Sequence, residues 1–160
     1  MHKKKETEKY YLFLDFDGVI NLFYLPGTQK YEEKKNMEEF EFYDRDCVAR
    51  LNELCHAFPL FIVISSSWRY AGLEYCKDYL VKAGLDPAIP VVDITDMDLL
   101  RPREEEILDY LFRHPDFDGF LIFDDGAMPH LQKFHVLTDP IQGFDEERMK
   151  FAENLLFHFR

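Results

Sequence analysis

The chain has 160 residues, 31 of them Asp or Glu against 19 Lys or Arg, which gives a formal net charge of −12 at pH 7. With 47% hydrophobic residues, 16 Phe and 9 Tyr among them, it carries enough apolar material for a packed core; intrinsic disorder is excluded, and the length suits one domain. The acidity argues against broad coating of a nucleic-acid backbone, and no apolar run approaches the roughly 20 residues of a membrane span.

Residues 1–9 read as a basic, solvated tail, since no apolar signal-peptide core follows Lys3, Lys4 and Lys5. The three cysteines, Cys47, Cys55 and Cys76, are odd in number and lack C-x-x-C spacing, so reduced thiols and a cytoplasmic location are expected. Residues 10–14 form a short apolar strand ending at Asp15. Residues 20–43 are polar and aromatic, with a Pro26, Gly27 turn signal, and are too long for an ordinary connection. They are read as a flap or small cap whose aromatics, Phe23, Tyr24, Tyr31, Phe40, Phe42 and Tyr43, make a small local core. Residues 46–58 place Val48, Leu51, Leu54, Cys55 and Phe58 at helical spacing, and Pro59 ends that helix. Residues 60–64 are a continuous apolar strand. Residues 70–83 repeat Leu73, Cys76, Leu80 and Ala83 at helical spacing, with Gly84 as the stop, and residues 89–92 suggest a short strand. A helix over 103–113 carries Ile107, Leu108, Leu111 and Phe112 on one stripe, with Glu104, Glu105 and Glu106 as a solvated first turn that suits the helix dipole. Residues 120–123 are a buried strand running into Asp124 and Asp125, residues 134–137 a last strand, and residues 145–159 a helix with Met149, Ala152, Leu156 and Phe159 inward. The alternation implies an α/β fold over residues 10–160: a three-layer, mainly parallel sheet with helices on both faces.

Ligands of open α/β sheets bind at the carboxyl ends of the strands. Three strands end there in Asp15 and Asp17, in Ser65, Ser66 and Ser67, and in Asp124 and Asp125. Converging carboxylates repel by several kcal/mol unless a positive charge sits among them, and an oxygen-only donor set suits Mg²⁺. A turn at Gly18 redirects Asp17 away from Asp15, so that one carboxylate can attack phosphorus while the other manages the leaving group's proton. Hydroxyls of Ser65 or Ser66 and the cation of Arg103 can hold the transferring oxygens, with Gly18 and Arg69 as further phosphate-binding candidates. Arg69 can equally pair with a surface carboxylate, the serines can cap the helix that follows, and Trp68 is read as a packing anchor.

The run Leu12, Phe13, Leu14, Asp15, Phe16, Asp17, Gly18, Val19 resembles the first motif of the haloacid dehalogenase-like (HAD) superfamily. Ile64, Ser65, Ser66, Ser67, Trp68, Arg69 resembles the second motif of one branch, the HAD domain associated with Swiss Army Knife RNA repair proteins and with small phosphatase-like proteins. Arg103 stands at that branch's third motif, with Arg101 the competing choice; Phe123, Asp124, Asp125 resembles the fourth, and Leu137, Thr138, Asp139, Pro140 with Gly143 the ending. The resemblance spans residues 10–157. It implies a Rossmann-like HAD fold with Asp15 as nucleophile and Asp17 as general acid, then base. It also implies Mg²⁺ held by Asp15, Asp17 through its backbone carbonyl, and Asp124, with Asp125 ligating directly or through water. Phosphate binding would fall to Ser65 or Ser66, and Arg103 would neutralise the phosphoryl group. Gly126 and Ala127 stand where the family often has further acidic residues.

An acid at Asp17 favours phosphate over halide chemistry, since a dehalogenase needs no proton donor there. No Gly-x-x-x-x-Gly-Lys phosphate loop occurs, and an early Asp-x-Asp with a late Asp-Asp is the wrong order for a receiver module. The reading is a Mg²⁺-dependent phosphohydrolase acting on a small phosphorylated substrate, either a nucleotide, a sugar phosphate or a short nucleic-acid end. The alternative is a catalytically silent phosphate- or partner-binding module.

Overall fold

The computed structural model describes residues 8–98 and 100–160. Of the expected tail, residues 1–7 lie outside the described residues, and Lys9 is already fastened, its backbone N–H donating to the Asp118 carboxylate at 2.9 Å. Five strands, β1 (Tyr10–Leu14), β2 (Leu60–Ile64), β3 (Val91–Ile94), β4 (Gly119–Asp124) and β5 (His135–Leu137), form one parallel sheet in the order β3-β2-β1-β4-β5. The helices are α1 (Gln29–Lys35), α2 (Arg45–Ala57), α3 (Leu73–Ala83), α4 (Arg103–Arg113) and α5 (Glu146–Phe159). Among the described residues no helix is long and apolar enough to cross a membrane.

Side chains alternate across the sheet, and the two faces collect different helices. Tyr10, Leu12, Leu14, Ile62, Ile64, Leu121 and Phe123 pack with α2, α3 and α5 through residues such as Leu51, Leu80 and Leu156. Tyr11, Phe13, Val63, Phe120 and Ile122 pack with α4 through Ile107, Tyr110 and Leu111. Right-handed crossover explains the division. The chain steps from β1 to β2 to β3 in one direction, then returns across the sheet to β4, so the α4 connection must pass over the opposite face.

Several boundaries differ from the sequence pattern for local reasons. The expected helix over 70–83 is broken at Gly72, whose φ of +97° closes a 3₁₀ turn (Ser67–Ala71) before α3 begins. The strand expected at 89–92 starts later, at Val91: Pro90 has no N–H for the ladder and contributes only its carbonyl, to Ile62 N–H at 2.9 Å. On α4 the inward face is Ile107, Tyr110 and Leu111, while Leu108 and Phe112, expected on the same stripe, are 41% and 86% exposed because they lie beyond its edge. Residues 21–43 leave and rejoin the sheet at one point, where Asp44 N–H donates to Ile20 O at 2.6 Å. The aromatics there do not form the expected local core: Tyr43 is buried, but Phe23, Phe40 and Phe42 stand in solvent.

The first turn of α4, expected to be solvated, is instead a clasp. Glu104 is buried and accepts the backbone N–H groups of His130 and Leu131 at 2.8 and 3.2 Å, holding the loop that follows β4. Glu106 is also buried; both its oxygens lie 2.8 Å from Nη2 of Arg69, and it accepts Asp98 N–H at 2.9 Å. Arg69, expected at a phosphate or a surface carboxylate, is therefore an interior group. Its Nη1 donates to the carbonyls of Ser65 and Ser66 at 2.6 and 2.8 Å, which pins the loop after β2. Removing one partner of a dry ion pair strands the other charge, at a cost of about 3–5 kcal/mol. Glu106→Ala is expected to lose that much stability in urea denaturation, and the double variant Arg69→Met/Glu106→Leu to recover part of it, the Ser65 and Ser66 carbonyls and the Asp98 N–H losing their partners. A double variant no more stable than Glu106→Ala would contradict the pairing.

Candidate active site

Strand register brings the site together. Leu14 pairs with Ile64 of β2 and with Phe123 of β4, so Asp15, Ser65 and Asp124 stand at one level at the carboxyl ends of adjacent strands. They also share parity with Phe13, Val63 and Ile122, the face that α4 covers. β1 and β4 flank the point where the strand order reverses, which is where open α/β sheets leave a crevice.

Arg103, the first residue of α4, reaches into this crevice. Its Nη1 lies 2.7 Å from Oδ2 of Asp124 and 3.0 Å from Oδ2 of Asp15, bridging two carboxylates that are themselves almost wholly buried. The remaining oxygens are held by backbone: Phe16 N–H donates to Asp15 Oδ1 and Gly126 N–H to Asp124 Oδ1, both at 2.8 Å. Arg101, the competing choice, is exposed and pairs with Glu105 at 3.4 Å. Asp15, Asp124 and Asp125 each offer a carboxylate oxygen within 4.8 Å of the others. One guanidinium does not balance this group. Burial and the Asp124 charge push the Asp15 carboxyl up to about 7, against the pull of Arg103 and of the Ser66 hydroxyl that hydrogen-bonds it. Burial and Asp124 raise Asp125 as well. Three hard oxygen donors short of positive charge are a donor set suited to Mg²⁺.

The Asp17 carboxylate stands apart from them, as the turn at Gly18 led one to expect: it is exposed and engaged elsewhere, accepting Trp68 Nε1–H at 2.9 Å and Asn21 Nδ2–H at 3.0 Å, and the atom expected at the cation is its backbone carbonyl. Asn21 is fixed in turn by the Tyr79 hydroxyl at 2.6 Å. Gly18 makes this separation: its φ is +82°, and a Cβ there would fall 2.3 Å from Oδ2 of Asp125. Gly18 does not offer phosphate a donor, because its N–H is bound to Asn21 O at 2.8 Å and its carbonyl to the Thr138 hydroxyl at 2.7 Å. Ser66 is buried, caps the 3₁₀ turn by accepting Trp68 N–H at 3.2 Å, and touches Asp15. Ser65 is buried too, and its hydroxyl has no hydrogen-bond partner among the described residues. Trp68 is both a packing residue, against Phe16 and Tyr79, and a polar contact to Asp17.

Asn21, Tyr79, Glu104 and Glu106 escape the sequence reading. Asn21 and Tyr79 are 58 residues apart and meet only through the fold. Glu104 and Glu106 are hidden in an acidic run that reads as helix surface.

A family model described as the HAD domain in Swiss Army Knife RNA repair proteins matches residues 11–149. No curated protein and no solved structure matches the chain.

The raised Asp15 carboxyl has a thermodynamic consequence. Folded Asp15 keeps its proton up to about pH 7, whereas an ordinary carboxyl loses it near 3.8, so between these values the folded state binds more protons. The stability tied to this group is fully present below pH 3.8 and is lost as pH rises toward 7. In chelator, wild type is expected to fall in urea midpoint across that interval relative to Asp15→Asn, and millimolar Mg²⁺ to remove the difference. Parallel profiles for the two proteins in chelator would refute the buried-charge account.

Proposed function

The chain belongs to the family of HAD domains found in Swiss Army Knife RNA repair proteins, and we propose that it is a Mg²⁺-dependent phosphohydrolase that cleaves a small phosphate monoester by way of an aspartyl-phosphate on Asp15. The observation that carries this reading is the Arg103 bridge between Asp15 and Asp124 with Asp17 held apart from both. A nucleophile and a proton carrier act on opposite sides of the phosphorus, and the carboxylates of these two aspartates point to different places.

Asp15 attacks the phosphorus through a carboxylate oxygen. A P–O bond to Asp15 forms as the P–O bond to the leaving group breaks, and Asp17 delivers its proton to the departing oxygen. Asp17 then takes a proton from the water that attacks the aspartyl-phosphate, which returns Asp15 as a free carboxylate. Arg103 favours ionised Asp15 and neutralises the phosphoryl oxygens as they gain charge. The Ser66 hydroxyl, which donates to Asp15 in the free protein, turns its single proton to the transferring group as Asp15 is esterified, and the buried Ser65 hydroxyl is a second candidate donor. Asp15, the backbone carbonyl of Asp17 and Asp124 would hold Mg²⁺, with Asp125 directly or through water, and the ion would draw charge off the phosphoryl group. Arg69 and the Gly18 backbone, committed inside the fold, serve the scaffold rather than the phosphate. The family description points to phosphorylated nucleic-acid ends, and the charge of −12 favours a short end or a mononucleotide over a long strand.

Phosphate release from an aryl phosphate is expected to require Mg²⁺, to fall by at least about 10³-fold in Asp15→Asn, and to fall by about 10²–10⁴-fold in Asp17→Asn. Turnover in chelator, or full activity in Asp15→Asn, would overturn the mechanism; a wild type inert toward every monoester would favour a silent binding module.

A further inference from the structure

A cavity of about 410 Å³ opens between the returning half of the 21–43 segment and α3, lined by Phe40, Phe42, Tyr43, Trp68, Tyr75 and Tyr79 among others. We propose that it is the leaving-group pocket of the phosphohydrolase, a proposal that rests on that reading, and that its occupant is the uncharged heteroaromatic base of a mononucleotide.

Position comes first. Trp68 lines the cavity with its ring while its Nε1 donates to Asp17 at 2.9 Å, and Tyr79, also on the wall, reaches Asp17 through Asn21. Asp17 protonates the leaving oxygen, so the body of the leaving group extends from Asp17 toward these rings. The lining supplies flat apolar faces that the fold leaves uncovered. Phe42 is 58% exposed, Phe40 51% and Tyr75 51%, whereas Phe16, beneath Trp68, is fully buried. Phe40 and Phe42 meet edge to face with centroids 5.0 Å apart, and Phe42 meets Trp68 in the same manner at 6.5 Å, which keeps ring faces open for a third ring. The volume is in the range of about 300–1,000 Å³ usual for small-ligand pockets.

Charge narrows the occupant. Three carboxylates line the cavity, Glu39, Glu41 and Asp78; Lys82 lies 3.4 Å from Glu39, and Glu41 is paired with Arg45 at 2.9 Å and Lys34 at 3.7 Å. A leaving group with further phosphates would find these three cations already paired with carboxylates, and Asp78 adds like charge. A base is uncharged, offers a π face to the rings, and carries N–H donors that carboxylates accept. A bare sugar matches the polar rim but has no ring system to stack.

Trp68 is the sole tryptophan, so tryptophan emission arises from the wall shared by the cavity and Asp17, and adenosine, which carries no phosphate, tests the cavity side of it. In full-length Asp15→Asn, adenosine is expected to quench that emission saturably and ribose to leave it unchanged. Phe42→Ala and Tyr75→Ala, made separately at half-exposed positions, are each expected to weaken adenosine about tenfold. In the active protein, the preference in kcat/KM for adenosine monophosphate over ribose phosphate is expected to drop about tenfold in Phe42→Ala. Absence of saturable quenching, quenching indifferent to both substitutions, or a wild type that prefers ribose phosphate would overturn the pocket. Saturable, Phe42-dependent quenching in a protein that hydrolyses no ester would support the pocket while overturning the hydrolase reading alone.

Discussion

The edge of this sheet is organised around one electrostatic problem. Asp15 and Asp124 are nearly dry carboxylates at the ends of adjacent strands, and Arg103 stands between them at 3.0 and 2.7 Å. A guanidinium can occupy that position only if a helix begins there, over the face to which both aspartates point. The topology meets this condition. The long return from β3 to β4 crosses the opposite face from α2 and α3, and α4 is the helix that makes it. The first turn of α4 then does more than present Arg103. Glu104 and Glu106 tie it to the loops after β4 and β2, so the three chain segments that bear the site are fastened to one helical turn. The buried Arg69–Glu106 pair is costly to desolvate, and a simple apolar contact would stabilise the fold as well. Its value is geometric, because its bonds to the Ser65 and Ser66 carbonyls fix where the serine hydroxyls stand.

Two aspartates separated by one residue serve different ends because the chain leaves the strand between them. Asp15 keeps the parity of β1 and is buried against like charge; Asp17 lies past the ladder, exposed, with both oxygens held by neutral donors from Trp68 and Asn21. Only glycine fits at the next position, since its left-handed backbone is one most residues avoid and a Cβ would collide with Asp125. Burial and the Asp124 charge raise the proton affinity of Asp15, while Asp17, beyond the ladder, rests on neutral donors.

Much of this was legible in the sequence. Continuous apolar runs ending in Asp or Ser located β1 and β2 to the residue, and the apolar spacing located α4 likewise. The convergence of Asp15, Ser65 and Asp124 followed once parallel order was inferred. What could not be read was the commitment of polar groups at long range. Nothing near Arg69 signals Glu106, nothing near Asp17 signals Tyr79, and an acidic first turn looks the same whether it is solvated or clasps two loops. The flap aromatics misled for a related reason: their composition fits a local core, but a short segment with one seven-residue helix offers too little surface to bury them.

Those unburied rings give the acidity of the chain a local meaning. A charge of −12 spread over the surface says only that polyanions are disfavoured. At the mouth of the site it acquires direction. The carboxylates inside the crevice are short of positive charge and suit a cation with its phosphate. The carboxylates at the rim of the aromatic cavity, Glu39, Glu41 and Asp78, have no such need and turn the same sign of charge against a second phosphate. A single phosphoryl group enters where charge is wanted, and the remainder of the ligand lies where further negative charge is repelled and aromatic faces are open. Two groups of acidic residues thus act in opposite senses, and between them stands the hydrogen-bonded wall of Asp17, Asn21, Trp68 and Tyr79.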